Sequence, residues 1–188
     1  MSSILKVDQL QDSGGNEIIT SNGSGTITVN NQTFKNGINM TDQWRLTADI
    51  ANTDGVITSN LERVDDADFG KIGTGMTESS GIFSFPSTGL YLIHATMESV
   101  SQTDGVVLNL QVTNDNSSYL TEGTITQGDG DSHATNFASG SKIIFFNVTD
   151  ISTHKARFNI GSATASTVRG NSSLNETCFT FIRLGDSV

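Results

Sequence analysis

Gly81-Ile82-Phe83-Ser84-Phe85-Pro86-Ser87-Thr88-Gly89-Leu90-Tyr91-Leu92-Ile93-His94-Ala95-Thr96-Met97-Glu98-Ser99-Val100 is the stretch on which the reading of this chain turns. Pro86, the single proline, has no N–H to give a ladder, so the strand that opens at Gly81 has to end there. Gly89 supplies the turn, and Leu90 to Val100 restarts as a longer strand whose successive side chains point to opposite faces. Two strands meeting at a proline corner are the mark of a two-sheet sandwich.

Outward from that corner, strand candidates recur at short spacing. They are Gln43 to Ile50, Val56 to Val64, Gly81 to Phe85, Leu90 to Val100, Val106 to Thr113, Ser118 to Ile125, Lys142 to Val148, Lys155 to Ile160 and Thr177 to Leu184. In one of them Val106, Leu108, Leu110 and Val112 alternate with Val107, Asn109, Gln111 and Thr113, which predicts one core face and one wet or interface face. No segment carries a helical period. With 188 residues, 19 glycines and 16% charged residues, the composition suits one turn-rich antiparallel domain plus an extension, an all-β jelly-roll sandwich. Twenty acidic against ten basic residues leave a charge of −10, which repels a phosphate backbone and excludes nucleic acid as partner. No run approaches the length of a membrane span, and no basic-then-apolar leader opens the sequence, so synthesis in a cytosol is expected.

The corner resembles that of the globular domain of the complement C1q-like and tumour necrosis factor-like family. Ser139-Gly140-Ser141-Lys142-Ile143-Ile144-Phe145-Phe146 is similar to that family's Gly-Asp-then-apolar strand, and Glu176 to Leu184 is similar to its closing strand. Ser141 stands where the family has an acidic residue and Thr180 where it has glycine, and no collagen-like stem precedes the domain. The resemblance covers roughly residues 41–188. It implies a C1q/TNF-like antiparallel jelly roll and a homotrimer in which one apolar sheet face is covered.

Residues 1–40 read differently. Short strand-like pieces, Ile4 to Leu10, Glu17 to Thr20 and Thr26 to Val29, are separated by Gly14-Gly15 and Gly23-Ser24-Gly25. This segment is too poor in apolar side chains to offset the entropy of ordering it, so it is expected to be an extended arm, ordered only against a partner. Leu5 to Ile19 followed by Ser21 to Val29 resembles the amino-terminal segment of structural proteins of tailed bacteriophages, particularly of marine bacteria. Ile4, Leu5, Val7 and Leu10 are the candidate anchoring side chains.

Catalytic chemistry is thinly represented. His94 falls within a strand, while His133 and His154 sit beside polar turns without a motif. Cys178, the single cysteine, alternates into a strand as a small buried hydrophobe. Asp129 and Asp131, and the run Asp65-Asp66-Ala67-Asp68, offer oxygen ligands at spacings that calcium accepts, though neither continues as an EF-hand loop. In a trimer, Asp129 and Asp131 are the first candidates for an ion near the axis. Trp44 is expected in the core or an interface. Tyr119, after the turn Asn114 to Ser118, and Asn116 within it are the candidates for contact with an outside partner.

These readings converge on a noncatalytic, trimeric virion structural protein of a tailed bacteriophage, with no required cofactor. It is assembled in the host cytoplasm and anchored through residues 1–40 to capsid, neck or tail, as a capsid decoration protein or a tail fibre attachment, with the jelly-roll head of residues 41–188 exposed. The alternative is a receptor-binding or carbohydrate-binding tip that touches a host surface glycan.

Overall fold

The computed structural model describes residues 9–24, 27–29, 37–101, 105–128 and 136–188. Contacts divide the chain into two units, Met1–Gly37 and Ile38–Val188. In the first, strands β1 (Gln9–Gln11), β2 (Glu17–Ser21) and β3 (Ile27–Val29) form a three-stranded antiparallel sheet with β2 in the middle. The turn from β1 to β2 is closed by Asp12, whose Oδ1 accepts from the N–H groups of Gly14 and Asn16. The arm is therefore internally paired over its described residues rather than a single extended strand. Beside the backbone ladder, Gln9 Nε2 donates to the Glu17 carboxylate, and no residue of β1 or β2 is buried.

The second unit runs through β4 (Thr41–Leu46), β5 (Ala48–Ala51), β6 (Gly55–Val56), β7 (Leu61–Arg63), β8 (Thr77–Ser79), β9 (Ile82–Ser84), β10 (Gly89–Ser101) and β11 (Val106–Thr113). It continues through β12 (Leu120–Gln127), β13 (Asn136–Val148), β14 (Lys155–Gly161), β15 (Ser166–Asn171) and β16 (Cys178–Gly185). A seven-stranded sheet has the order β5-β15-β10-β16-β4-β7, with β13 paired along the other edge of β10. A six-stranded sheet has the order β12-β11-β14-β9-β8, with β6 also on β14. All pairings are antiparallel, and no helix occurs among the described residues, as the all-β jelly-roll reading requires.

The proline corner carries the chain from one layer to the other. β9 belongs to the six-stranded sheet and β10 to the seven-stranded one, with Pro86 between them. Gly89 sits at φ 154°, and a Cβ there would collide with the Arg183 side chain and the Gly185 carbonyl, so no other residue fits without displacing β16. The Tyr91 hydroxyl donates to the Ser87 carbonyl at 2.8 Å and ties the corner to the start of β10. On the other side of β9, Ser80 and Gly81 both have positive φ, 51° and 82°, the two-residue reverse turn whose twist suits a tight hairpin.

Between the layers the core is aromatic. Phe83 meets Trp44, Phe158 and Phe181 at ring-centroid distances of 5.5, 5.6 and 5.1 Å, while Phe158 stacks on Phe179 at 3.7 Å. Leu108, Leu110, Ile93, Met97 and Leu46 fill the remaining space. Phe83 is fully buried and touches side chains from both sheets; truncation to alanine at such a position costs about 3–5 kcal/mol.

Three expectations are corrected. Val56 to Val64 is not one strand: Asn60 turns at φ 58°, so β6 pairs in the six-stranded sheet and β7 in the other. β13 begins at Asn136 rather than Lys142, because β10 offers it an edge along its whole length, from Gly89↔Val148 to Ser101↔Asn136. β15, not foreseen, fills the space beside β10 beyond the end of β16.

Candidate interaction face

Residues directly opposite in an antiparallel register share a side of the sheet. On the outward side of the seven-stranded sheet this rule lines up Phe145, Leu92, Ile182, Thr41 and Ile72 as one transverse row through β13, β10, β16, β4 and the segment bridged to β4. At strand spacing the row spans roughly 19 Å. The next row is Ile143, His94, Thr180 and Gln43. Phe145 is 65% exposed, Ile143 50% and Ile72 49%, with Leu92 and Ile182 half-buried between them. An apolar stripe of this kind on a sheet face, broken here only by Thr41, is a candidate contact site.

Further along the same face the chemistry changes. Ser141, Thr96, Cys178 and Arg45 form the following row, and Arg45 is 2% exposed because the segment after β7 folds over it. Its guanidinium donates to Glu62 at 2.6 Å and Asp66 at 2.6 Å and lies 3.5 Å from Asp65. The hydrogen bond to Asp66 is the main reason that Arg45 holds its proton above the usual arginine range. On the inner side of the same strand, in the row of Phe181, Asp42, 1% exposed, accepts from Trp44 Nε1 at 3.0 Å, Arg63 Nε at 2.8 Å and the Met76 N–H at 2.7 Å. Arg63 also lies 4.7 Å over the Trp44 ring. These bonds fasten the chain between β7 and β8 onto β4, so this end of the sheet is covered from within.

The outward side of the six-stranded sheet is polar and self-satisfied. Arg157 Nε donates to Gln111 at 2.8 Å, Gln111 Nε2 to Thr121 at 3.2 Å, and Thr124 to Asn109 at 3.1 Å. Arg157 stacks 3.8 Å from the centroid of Tyr119, and burial pushes the Tyr119 phenol up.

The predicted site residues fall as follows. Ile4, Leu5 and Val7 lie outside the described residues; Leu10 is on β1, 49% exposed, paired with Ile19. Asp129, Asp131 and His133 also lie outside them. Asp65 and Asp66 are turned to Arg45, which supplies the cation that the acidic run invited; among the described residues no group of three or more His, Cys, Asp or Glu is placed to hold a metal. Asn116 is exposed at φ 59° in the turn before Tyr119, and Arg157 covers one part of the Tyr119 ring. Trp44 is in the core. Cys178 is buried, and that burial pushes its thiol up, away from reactivity. His154 is buried against Phe146 with its ring nitrogens near Thr149 and Thr153, a position that steadies the turn before β14.

No family model matches the chain, and no curated protein matches it. Solved structures do. The chain is similar to the Eiger TNF of S. frugiperda with a TM-score of 0.59 at 10% identity, covering 81% of this chain and 96% of that one. It is similar to murine APRIL with a TM-score of 0.56 at 13% identity, covering 77% and 98%. The PRD1 vertex protein P5 aligns over 80% of this chain and all of that one at 18% identity, with a TM-score of 0.49, and adds nothing to the fold assignment. The fold is thus a TNF-like jelly roll.

Proposed function

We propose that the chain is a noncatalytic virion structural protein of a tailed bacteriophage. It assembles as a homotrimer through the outward face of the seven-stranded sheet and is anchored to the particle by residues 1–40, as capsid decoration or fibre attachment. The observation that carries the assembly is the uncovered row Phe145, Leu92, Ile182 and Ile72, on a sheet whose other end is capped by its own chain. A second copy would remove that apolar surface from water, and a closed three-fold ring satisfies every copy alike. The particle address rests on the resemblance of the amino-terminal segment and on its composition. Among the described residues of that segment, Leu10 and Ile19 face the same side of the small sheet and are both exposed, a surface suited to docking.

Deletion of residues 1–40 tests the anchoring. Trimers should persist while incorporation into particles made without the full protein is lost; truncated protein that still joins particles overturns it. The second reading, a glycan-binding tip, draws on the turn before Tyr119, where Asn116 is presented at positive φ by backbone bonds to Asp115. Glycan-array binding by the isolated head, lost in Asn116→Ala, would favour that reading.

A further inference from the structure

His94 stands at the edge of the apolar row. It is half-buried on β10, with Leu92 two residues before it on the same side, Ile143 opposite it on β13 and Thr180 opposite it on β16. No carboxylate faces it from either partner strand. On β13 its nearest neighbours on this side are Ser141, Ile143 and Phe145, and Lys142 pairs with Ala95, which points the other way. On β16 the neighbouring titratable group is the Cys178 thiol, opposite Thr96. On β4, beyond Thr180, stands Gln43, whose Nε2 donates to Thr180, and the charged Arg45 lies in the Cys178 row, engaged by Glu62 and Asp66. Along β10 itself the first charge is Glu98, separated from His94 by Thr96 and opposite Ser139.

A charge at His94 therefore has water as its main solvent in the separated chain and loses it when an apolar surface closes over the row. We propose that His94 makes assembly through this face pH-sensitive: the seam between copies holds while the imidazole is neutral and loosens when it takes up a proton. The inference rests on the reading of this face as the seam between copies. Its sign follows from linkage. Cover by apolar groups disfavours the charged imidazole, so the separated chain binds the proton better than the assembly does, and acidification pulls chains apart. Histidine is the side chain whose ordinary titration falls in the range where this matters.

The test is sedimentation of the full chain over a concentration series at about pH 7.5 and about pH 5.5, a span that brackets ordinary histidine titration. The wild-type dissociation concentration is expected to rise by about tenfold or more on acidification, the size of a one-unit difference in proton affinity. In His94→Gln, which stays neutral, and in His94→Leu, which stays apolar, that rise should disappear while assembly at the higher pH remains. Either variant keeps the question open to measurement if the other folds poorly. Wild-type chains equally assembled at both pH values, or variants that respond to acid as the wild type does, overturn the inference and leave the seam standing. Chains monomeric at both pH values overturn the seam and the inference together.

Discussion

The two outward faces of this jelly roll present opposite solutions to the same problem. On the six-stranded sheet Asn109, Gln111, Thr121, Thr124 and Arg157 satisfy one another in the plane of the face, and Arg157 lies over Tyr119, so water can stay. On the seven-stranded sheet one end is closed by the chain's own segment around Arg45, while the other leaves Phe145, Ile143 and Ile72 exposed. A domain whose one sheet is polar on its outward side while the other carries an apolar row there points to the second as the side for another surface to cover.

The largest effect should therefore come from charging the apolar row. Phe145→Glu combined with Ile143→Ser is expected to turn the assembly into monomers in light scattering, because each large apolar side chain buried at a seam contributes about 1.5–3 kcal/mol and a carboxylate there would lose its water when the seam closes. The matching change on the polar face, Asn109→Glu, should leave the mass unchanged. If the polar-face change dissociates the assembly and the apolar-face change does not, the comparison is reversed.

Next in size is the inner side of that closed end, at Asp42 on β4. Asp42→Ala removes the acceptor shared by Trp44, Arg63 and the Met76 N–H, leaving two buried donors unsatisfied beside an arginine that is a third exposed. A loss of about 2–6 kcal/mol in denaturant unfolding is expected, about 1–3 kcal/mol for each buried donor left without an acceptor. A loss below 1 kcal/mol would mean that this end is covered by packing alone. On the polar face, by contrast, Arg157→Ala should cost only about 0.5–1 kcal/mol, the value of an exposed cation–π contact, with no change in mass.

How much of this could be read from the chain depends on how local the cause is. The corner at Pro86 and Gly89 was visible because each residue forbids the alternative on its own, and the alternation in β11 was visible because burial there has period two. The first part of β13, Asn136-Phe-Ala-Ser-Gly-Ser, reads as loop; it is a strand because β10 pairs with it throughout, and Gly140 is small because Ile125 and Gln127 press against it, a Cβ there falling 2.8 and 2.7 Å from them. Arg45 gives no local sign of burial between Trp44 and Leu46, since the carboxylates that engage it come from β7 and the segment after it. The anchoring side chains Ile4, Leu5 and Val7 and the acidic pair Asp129 and Asp131 fall outside the described residues, so their roles still rest on sequence.

The smallest effect sharpens the comparison at the rim of the polar face, where the turn from Asn114 to Ser118 leads into Tyr119. Asp115 accepts from the Ser118 N–H at 2.7 Å, the Thr113 hydroxyl at 2.7 Å and the Ser117 N–H at 2.8 Å, and these bonds, Ser118 first, hold its carboxyl well below the usual carboxylate range. The folded turn thus binds this proton more weakly than an unfolded chain does. Its stabilising contribution is complete above the ordinary carboxylate value of about 4 and is lost only as pH falls through the depressed one. Amide exchange at Ser117 and Ser118 should accordingly stay slow to lower pH than carboxylate titration elsewhere would suggest. In Asp115→Asn it should be faster at neutral pH, with a slightly lower melting temperature and mass unchanged. Exchange that Asp115→Asn leaves untouched would mean that the strands on either side shape the turn, and that Asn116 is presented by the sheet rather than by the carboxylate beneath it.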